Sequence, residues 1–349
     1  MRRVAIAAAI AFLWAFTAVM PAEGATNDPY RSRQWGLDRI QADSAWALAD
    51  GTGALIAVVD TGVDLGHPDL AAKIVAYPDA DFVERNGTCT GSLRNRTCVQ
   101  DGAQDANGHG THVAGIAAAL TNNGIGVAGT APGARILPVR VLDANGEGTA
   151  DQVAAGIRYA ADKGADVINL SLGFLSGLDQ VAKILGELDP VYAAIDYAWS
   201  KGAVIAIAAG NNSFPLCAEP SAHPRAVCVG ATDQNDLRTF YSNGDATLSS
   251  TYLVAPGGAG LLFCSGDIYS TYLRSKATTC GPGLGYEALA GTSMATPFVS
   301  GVAALLAGRG LSNQQIVDRL KTTSDDLGLP GRDALFGYGR VNAVRAVSG

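Results

Sequence analysis

Four short segments carry side chains able to do chemistry. Val58-Val59-Asp60-Thr61-Gly62-Val63-Asp64 ends an apolar run on an acid, and Gly108-His109-Gly110-Thr111-His112-Val113-Ala114-Gly115 sets a histidine among glycines where helical spacing begins. Ala208-Ala209-Gly210-Asn211 ends a second apolar run on an amide. Ala290-Gly291-Thr292-Ser293-Met294-Ala295-Thr296-Pro297 puts a serine in the first turn of a helix. Each alone is ordinary, since Asp60 could cap a helix and His109 could pack in a core. Together they supply what acyl transfer needs: a hydroxyl nucleophile with a base, an acid to orient that base, and an amide plus a helix-start N–H to receive an oxyanion. His112 follows His109 by one turn, but no glutamate stands between them as in a metalloprotease helix, so it is read as a packed histidine.

Positioning these groups falls to alternating elements. Strands are expected at Ala54–Val59, Arg135–Leu142, Asp166–Leu170, Ala203–Ala208 and Ala226–Gly230. Helices are expected at His109–Leu120, Thr149–Lys163, Val191–Lys201, Thr292–Ala307 and Asn313–Thr322. Near-continuous apolar strands separated by helices indicate an α/β fold, a single-domain three-layer α/β/α sandwich with a mainly parallel central sheet. Ligands of such sheets bind at the carboxyl ends of the strands. Asp60 after Val59, Ser171 after Leu170 and Asn211 past Ala208 all fall there. The glycine-rich stretches Asn86–Asn107 and Gly257–Gly285 read as surface loops.

Arg2 and Arg3 precede an apolar run, Val4–Met20, and small residues at Ala22, Gly24 and Ala25. That is the pattern of a secretory leader over residues 1–25, cleaved at about 22–26, with the mature domain at 26–349 and no membrane anchor left on it. A retained anchor is the alternative, but the run is short for a span. A net charge of −7 argues against nucleic acid or anionic lipid as partner. Six cysteines fall in three local couples, Cys89 with Cys98, Cys217 with Cys228 and Cys264 with Cys280. Export favours disulfides; six cysteines allow about fifteen connectivities, and loop proximity motivates the local one.

On these residues the chain resembles the subtilisin-like serine proteases (subtilases, peptidase family S8), and within them the thermitase-like branch. The motifs that carry the resemblance are Val59-Asp60-Thr61-Gly62, His109 to Gly115 and Gly291 to Pro297, in the order Asp, His, Ser known from subtilisin. It extends from Asn27-Asp28-Pro29-Tyr30 to Gly339-Arg340-Val341-Asn342-Ala343. It implies a secreted, extracellular, monomeric endopeptidase of subtilisin-like fold, with Ser293 as nucleophile, His109 as general base and acid, Asp60 orienting it and Asn211 in the oxyanion hole.

The resemblance further implies a primary pocket walled by Ser171-Leu172-Gly173 and Ala208-Ala209-Gly210. Its implied substrate edge is Gly146-Glu147-Gly148, which takes polypeptides in extended conformation by strand addition. A structural Ca2+ is implied on Asp28 and Asp69, with Leu120, Asn123, Ile125 and Val127 as carbonyl and amide donors. Relatives carry a prodomain between leader and peptidase, and none is evident here. Cys217 to Cys228 falls where the pocket floor belongs. A catalytically silent peptide binder on the same fold is the rival from another class; the intact set of Asp60, His109, Ser293 and Asn211 argues against it.

Overall fold

The computed structural model describes residues 26–77, 79–83, 88–90, 97–99, 102–173, 186–261 and 264–349. The expected leader, residues 1–25, lies outside them. Among the described residues the strands are β1 (Leu55–Asp60), β2 (Thr88–Thr90), β3 (Thr97–Val99), β4 (Arg135–Arg140), β5 (Val167–Leu170), β6 (Val204–Ala208), β7 (Ala226–Thr232), β8 (Thr251–Pro256), β9 (Ile268–Thr271) and β10 (Tyr286–Leu289). The α-helices are α1 (Trp35–Arg39), α2 (Ala42–Trp46), α3 (His109–Ala118), α4 (Ala150–Asp162), α5 (Asp189–Ser200), α6 (Thr292–Ala307), α7 (Asn313–Thr323) and α8 (Ala343–Val347).

Six strands form one sheet in the order β4-β1-β5-β6-β7-β8, and every pairing in it is parallel. Because side chains alternate along a strand, each strand feeds two cores. Ile56, Val58, Val167, Val204, Val227 and Val229 face α3 and α6, where they meet Val113, Ile116, Val299 and Val302. Ala57, Val59, Ile168, Leu170, Ile205 and Ile207 face α4 and α5 and meet Val153, Ile157, Val191 and Ile195. All are buried, and each Val, Ile or Leu withdrawn from water contributes roughly 1.5–3 kcal/mol. The expected three-layer α/β/α sandwich follows from strands apolar on both faces.

The chain leaves β1 for β4 on one side and returns to β5 on the other, so the order reverses at β1. That is the switch point where the carboxyl edge of an open sheet forms a crevice. Asp60 is the last residue of β1, His109 the first of α3 and Ser293 the second of α6.

Several boundaries differ from the sequence expectation for local reasons. Helix α3 stops at Ala118 because Ala119 turns extended and the Leu120 N–H is taken by the Asp69 carbonyl at 2.8 Å. Thr149 and Lys163 cap α4; Thr149 accepts from Gln152 N in a capping box. Strands β2 and β3, inside the stretch Asn86–Asn107 read as loop, and β8, β9 and β10 are not expected from sequence, and β9 and β10 are antiparallel partners. Strand β9 and most of the β9–β10 connection lie in the stretch read as loop, where Ile-Tyr-Ser-Thr is too short to register as a period. β2 and β3 form an antiparallel ladder with Cys89 opposite Cys98; the bond expected between those side chains lies outside the described residues. Disulfides join Cys217 to Cys228 and Cys264 to Cys280.

Candidate active site

Asp60 leaves β1 fully buried, and its Oδ1 accepts from its neighbour's amide, Thr61 N, at 2.7 Å and from His109 Nδ1 at 2.8 Å. With a carboxylate accepting at Nδ1, the imidazole proton sits there and Nε2 keeps its lone pair. The His109 side chain is 28% exposed, so the ring bridges a buried acid and an open surface. Burial opposes a charge on His109, but the charge and hydrogen bond of Asp60, with the charge of Asp105, outweigh it and raise the imidazole above its ordinary value. His112 is the opposite case. Fully buried, with Nε2 on the Glu287 carbonyl at 3.1 Å, it is pushed down to about 3 chiefly by burial and remains neutral.

A close backbone approach makes the Asp60–His109 contact possible. A Cβ on Gly110 would fall 2.1 Å from the Gly62 carbonyl oxygen and 3.2 Å from Asp60 Oδ1. Only a residue without a side chain lets the first turn of α3 rest against the end of β1.

Ser293 lies one residue into α6. Pro297 has no N–H to give the Ser293 carbonyl four residues back, and the Ser171 hydroxyl takes that place at 2.8 Å. In return Ser293 Oγ donates to the Ser171 carbonyl at 3.0 Å. The two serines thus lock the start of α6 to the end of β5. Asn211 is fixed from the other side: Thr292 N and Thr292 Oγ1 both donate to its Oδ1, each at 2.9 Å. Its amide nitrogen therefore turns outward. Asn211 Nδ2 and Ser293 N lie 3.5 and 3.6 Å from the point where a Gly291 Cβ would stand, so both donors sit beside Gly291.

The expected walls converge on the same place. Ser171-Leu172-Gly173 follows β5, Ala208 closes β6, and Ala209 and Gly210 continue from it. Ala218 N donates to the Ala209 carbonyl at 2.8 Å, and its methyl would stand 3.1 Å from a Cβ on Gly210. Ala218 thus packs against the 208–210 segment, next to the Cys217–Cys228 disulfide. Gly146, Glu147 and Gly148 are exposed in a turn whose Asp143 accepts Glu147 N at 3.0 Å. Asn107 joins that turn to the histidine: Nδ2 donates to the Ala144 carbonyl and Oδ1 accepts His109 N.

Asp28 and Asp69 form a second group. Asp28 accepts Asn122 N and Asn123 N; Asp69 accepts Asn123 Nδ2 at 2.7 Å, Val127 N at 2.9 Å and the Tyr286 hydroxyl at 3.0 Å. Both acids are buried, and burial first, then the charge of Asp28, push the Asp69 carboxyl up despite those donors. Gly126 has φ +57°, and a Cβ there would fall 1.8 Å from Asp69 Oδ2, so the loop closes directly over the acid. Two buried like charges under a loop of carbonyl groups suit a hard cation with oxygen ligands. Among the described residues no three His, Cys, Asp or Glu side chains group around a metal, so carbonyl and amide oxygens of Leu120, Asn123, Ile125 and Val127 would have to complete the set.

Sequence reasoning missed three supporting residues. Asn243, 1% exposed, accepts Asn212 N and Phe214 N and donates its own N–H to the Gly210 carbonyl, gripping the loop that carries Asn211. Thr292 orients the Asn211 amide. Asp105 accepts from both ends of the His109 segment, and its only sequence signal is an acid four residues before the helix-start histidine.

Comparison with known proteins agrees with this geometry. A model of the subtilase family matches residues 51–339. Thermitase of Thermoactinomyces vulgaris is 46% identical over 325 residues, covering 92% of this chain and 98% of that protein. Subtilisin Savinase of Lederbergia lenta is 38% identical over 319 residues, 90% of this chain and 99% of its own. A solved protease structure from Pseudoalteromonas arctica PAMC 21717 superposes with a TM-score of 0.74 at 32% identity, over 93% of this chain and 98% of that one. An acid, a histidine and a helix-start serine at the switch point of a parallel sheet, with a match spanning most of the chain, have one explanation: the chain belongs to the subtilase family and is a serine endopeptidase of the thermitase-like branch.

Proposed function

We propose that this endopeptidase is exported and cleaves extended polypeptides through an acyl-enzyme on Ser293, with His109 as general base and acid, Asp60 orienting it, and Asn211 with Ser293 N as the oxyanion hole. The observation that carries this reading is the 2.8 Å Asp60–His109 hydrogen bond, which leaves Nε2 as a base at the crevice. The Ser293 hydroxyl turns from the Ser171 carbonyl to Nε2 and gives up its proton as Oγ bonds to the scissile carbonyl carbon. The carbonyl oxygen becomes an oxyanion facing Asn211 Nδ2 and Ser293 N. Collapse breaks the C–N bond, and His109 returns the proton to the departing amine. Water then repeats the sequence on the ester, releasing the acid and restoring Ser293.

The substrate backbone would add along Gly146-Glu147-Gly148, with the side chain before the scissile bond between Ser171-Leu172-Gly173 and Ala208-Ala209-Gly210. A calcium ion would serve structure, neutralising Asp28 and Asp69. No helix among the described residues is long and apolar enough to cross a membrane. The deciding experiment compares the protein with Ser293→Ala on casein and on a fluorophosphonate probe. Casein cleavage and labelling are expected only with Ser293 present; labelling that persists in Ser293→Ala would overturn the assignment.

A further inference from the structure

Asp105 is the acid whose bonding the mechanism above does not use. It is 4% exposed, precedes α3 by four residues, and accepts from five donors. Its Oδ1 takes Thr61 Oγ1 at 2.9 Å, Asn107 N at 2.8 Å and Gly108 N at 3.0 Å. Its Oδ2 takes Thr111 N at 3.1 Å and Thr111 Oγ1 at 2.6 Å. Two of these partners pass the connection on: Thr61 Oγ1 accepts Gly110 N at 3.0 Å, and Thr111 Oγ1 accepts Asp64 N at 2.9 Å. Thr61 follows Asp60 directly, and Gly108 and Gly110 flank His109. One buried carboxylate thus binds the exit of β1 to the first turn of α3, where Asp60 must meet His109.

We infer that Asp105 is a positioning residue for the acyl-transfer reaction, a second buried carboxylate that sets the Asp60–His109 geometry and places a fixed negative charge behind the imidazole. The inference rests on the function proposed above. Both effects follow from the same contacts. A carboxylate with five donors is a rigid anchor, because an amide in its place offers one oxygen and must turn an NH2 toward at least two donors. The charge acts from a buried position, where screening is weaker than at the surface.

The other groups around His109 are Asp60 on β1, neutral His112 within α3, and the β9–β10 connection. From that connection Tyr272 packs on Gly108, Lys276 donates to the Asn107 carbonyl, and Arg274 is neutralised by Asp64. The tyrosine is raised above its ordinary value, by burial first, and stays neutral. The charges that remain near His109 are Asp60, Asp105 and Lys276, and of the two carboxylates Asp105 is the one that makes no hydrogen bond to the His109 ring.

The test is Asp105→Asn, with kcat counted per fluorophosphonate-titrated site, KM, thermal midpoint and the pH profile of kcat/KM. The expected result is a kcat lowered about 10-fold or more at a KM within about 2-fold of the parent, since small misplacements of reacting groups are costly. The acid limb should move to lower pH, because a charge favouring the imidazolium is gone. Thr61→Val cuts the link to Gly110 while keeping the charge; it should lower kcat and leave the acid limb in place. A purely structural Asp105 predicts a lowered thermal midpoint with parental kcat and acid limb in the sites that remain, and that result overturns the inference. Should Asp105→Asn fail to fold, Thr61→Val decides: parental kcat per site overturns the inference, reduced kcat upholds it. Absence of casein cleavage by the unaltered protein would strike the proposed function, whereas parental behaviour of both variants strikes the role of Asp105 alone.

Discussion

His109 has to be neutral to act as a base, yet its surroundings favour its charge. Burial works against the imidazolium, but Asp60 and Asp105 outweigh it and the value rises above about 6.5. The consequences for activity and stability have opposite signs. Activity needs Nε2 free, so kcat/KM should fall as pH drops through a midpoint above about 6.5. The stabilising charged pair is fully present below the unfolded value and is lost as pH rises through the folded one. Two measurements check this: the acid limb of kcat/KM, and the gap in thermal midpoint between the protein and His109→Ala, which should be wider at acid than at alkaline pH. Asn211 supports a second prediction. Removing one side-chain oxyanion donor in subtilisin costs about 10²–10³ in kcat. Asn211→Leu should lose as much, with a KM close to the parent and a circular dichroism melt that stays within a few degrees of it.

At the scale of elements, the contact between α3 and β1 is what turns two common residues into a pair. Gly110→Ala would place a methyl 2.1 Å from the Gly62 carbonyl. Neither backbone yields cheaply, so overpacking of about 1–3 kcal/mol is expected, with α3 displaced from β1. Urea unfolding should show the destabilisation, and peptidase activity should fall by about 10²-fold or more from the lost alignment. An unchanged activity would mean that the helix start is less constrained than its contacts indicate. Elements of this kind were legible in sequence where period and composition agree. The apolar runs of β1, β5 and β6 and the helical spacing of α3, α4 and α6 are strong signals, because burial on both faces leaves the strands almost wholly apolar, Asn169 of β5 and the terminal Asp60 of β1 apart. β9 was illegible because four residues, Ile-Tyr-Ser-Thr, carry no period, and its partner β10 is fixed by tertiary pairing. The candidate positions Asp60, His109 and Ser293 were legible as a strand end and two helix starts, and Asn211 as an amide three residues past β6. Asp105 and Asn243 were not, since a buried polar residue is recognisable only by the distant donors it satisfies.

At the scale of the molecule, the sheet and its two helical layers account for the crevice but leave Asp28 and Asp69 buried together with a carboxyl pushed upward by burial and mutual charge. A divalent cation among the carbonyls of the 120–127 loop would turn that cost into a gain, because an ion bound by the folded chain alone stabilises it by mass action. At calcium about 100-fold above its dissociation constant the gain is about 2.7 kcal/mol. Chelation with EGTA should therefore lower the thermal midpoint and speed autolysis, while initial rates measured at once after chelation stay near the parent value, because the hydrogen bonds of Asp28 and Asp69 run to the 122–127 loop and Tyr286 and not to Asp60, His109 or Ser293. Restoring calcium should restore the midpoint; magnesium, which demands a tighter octahedron and holds its waters, should not. Asp69→Asn provides the control. It removes one carboxylate while keeping a similar volume, so it should abolish the calcium response and relieve part of the burial cost in calcium-free buffer. A chelation-insensitive midpoint in the unaltered protein would mean that Asn123 Nδ2, Val127 N and the Tyr286 hydroxyl suffice to hold Asp69, and that the loop carries no ion.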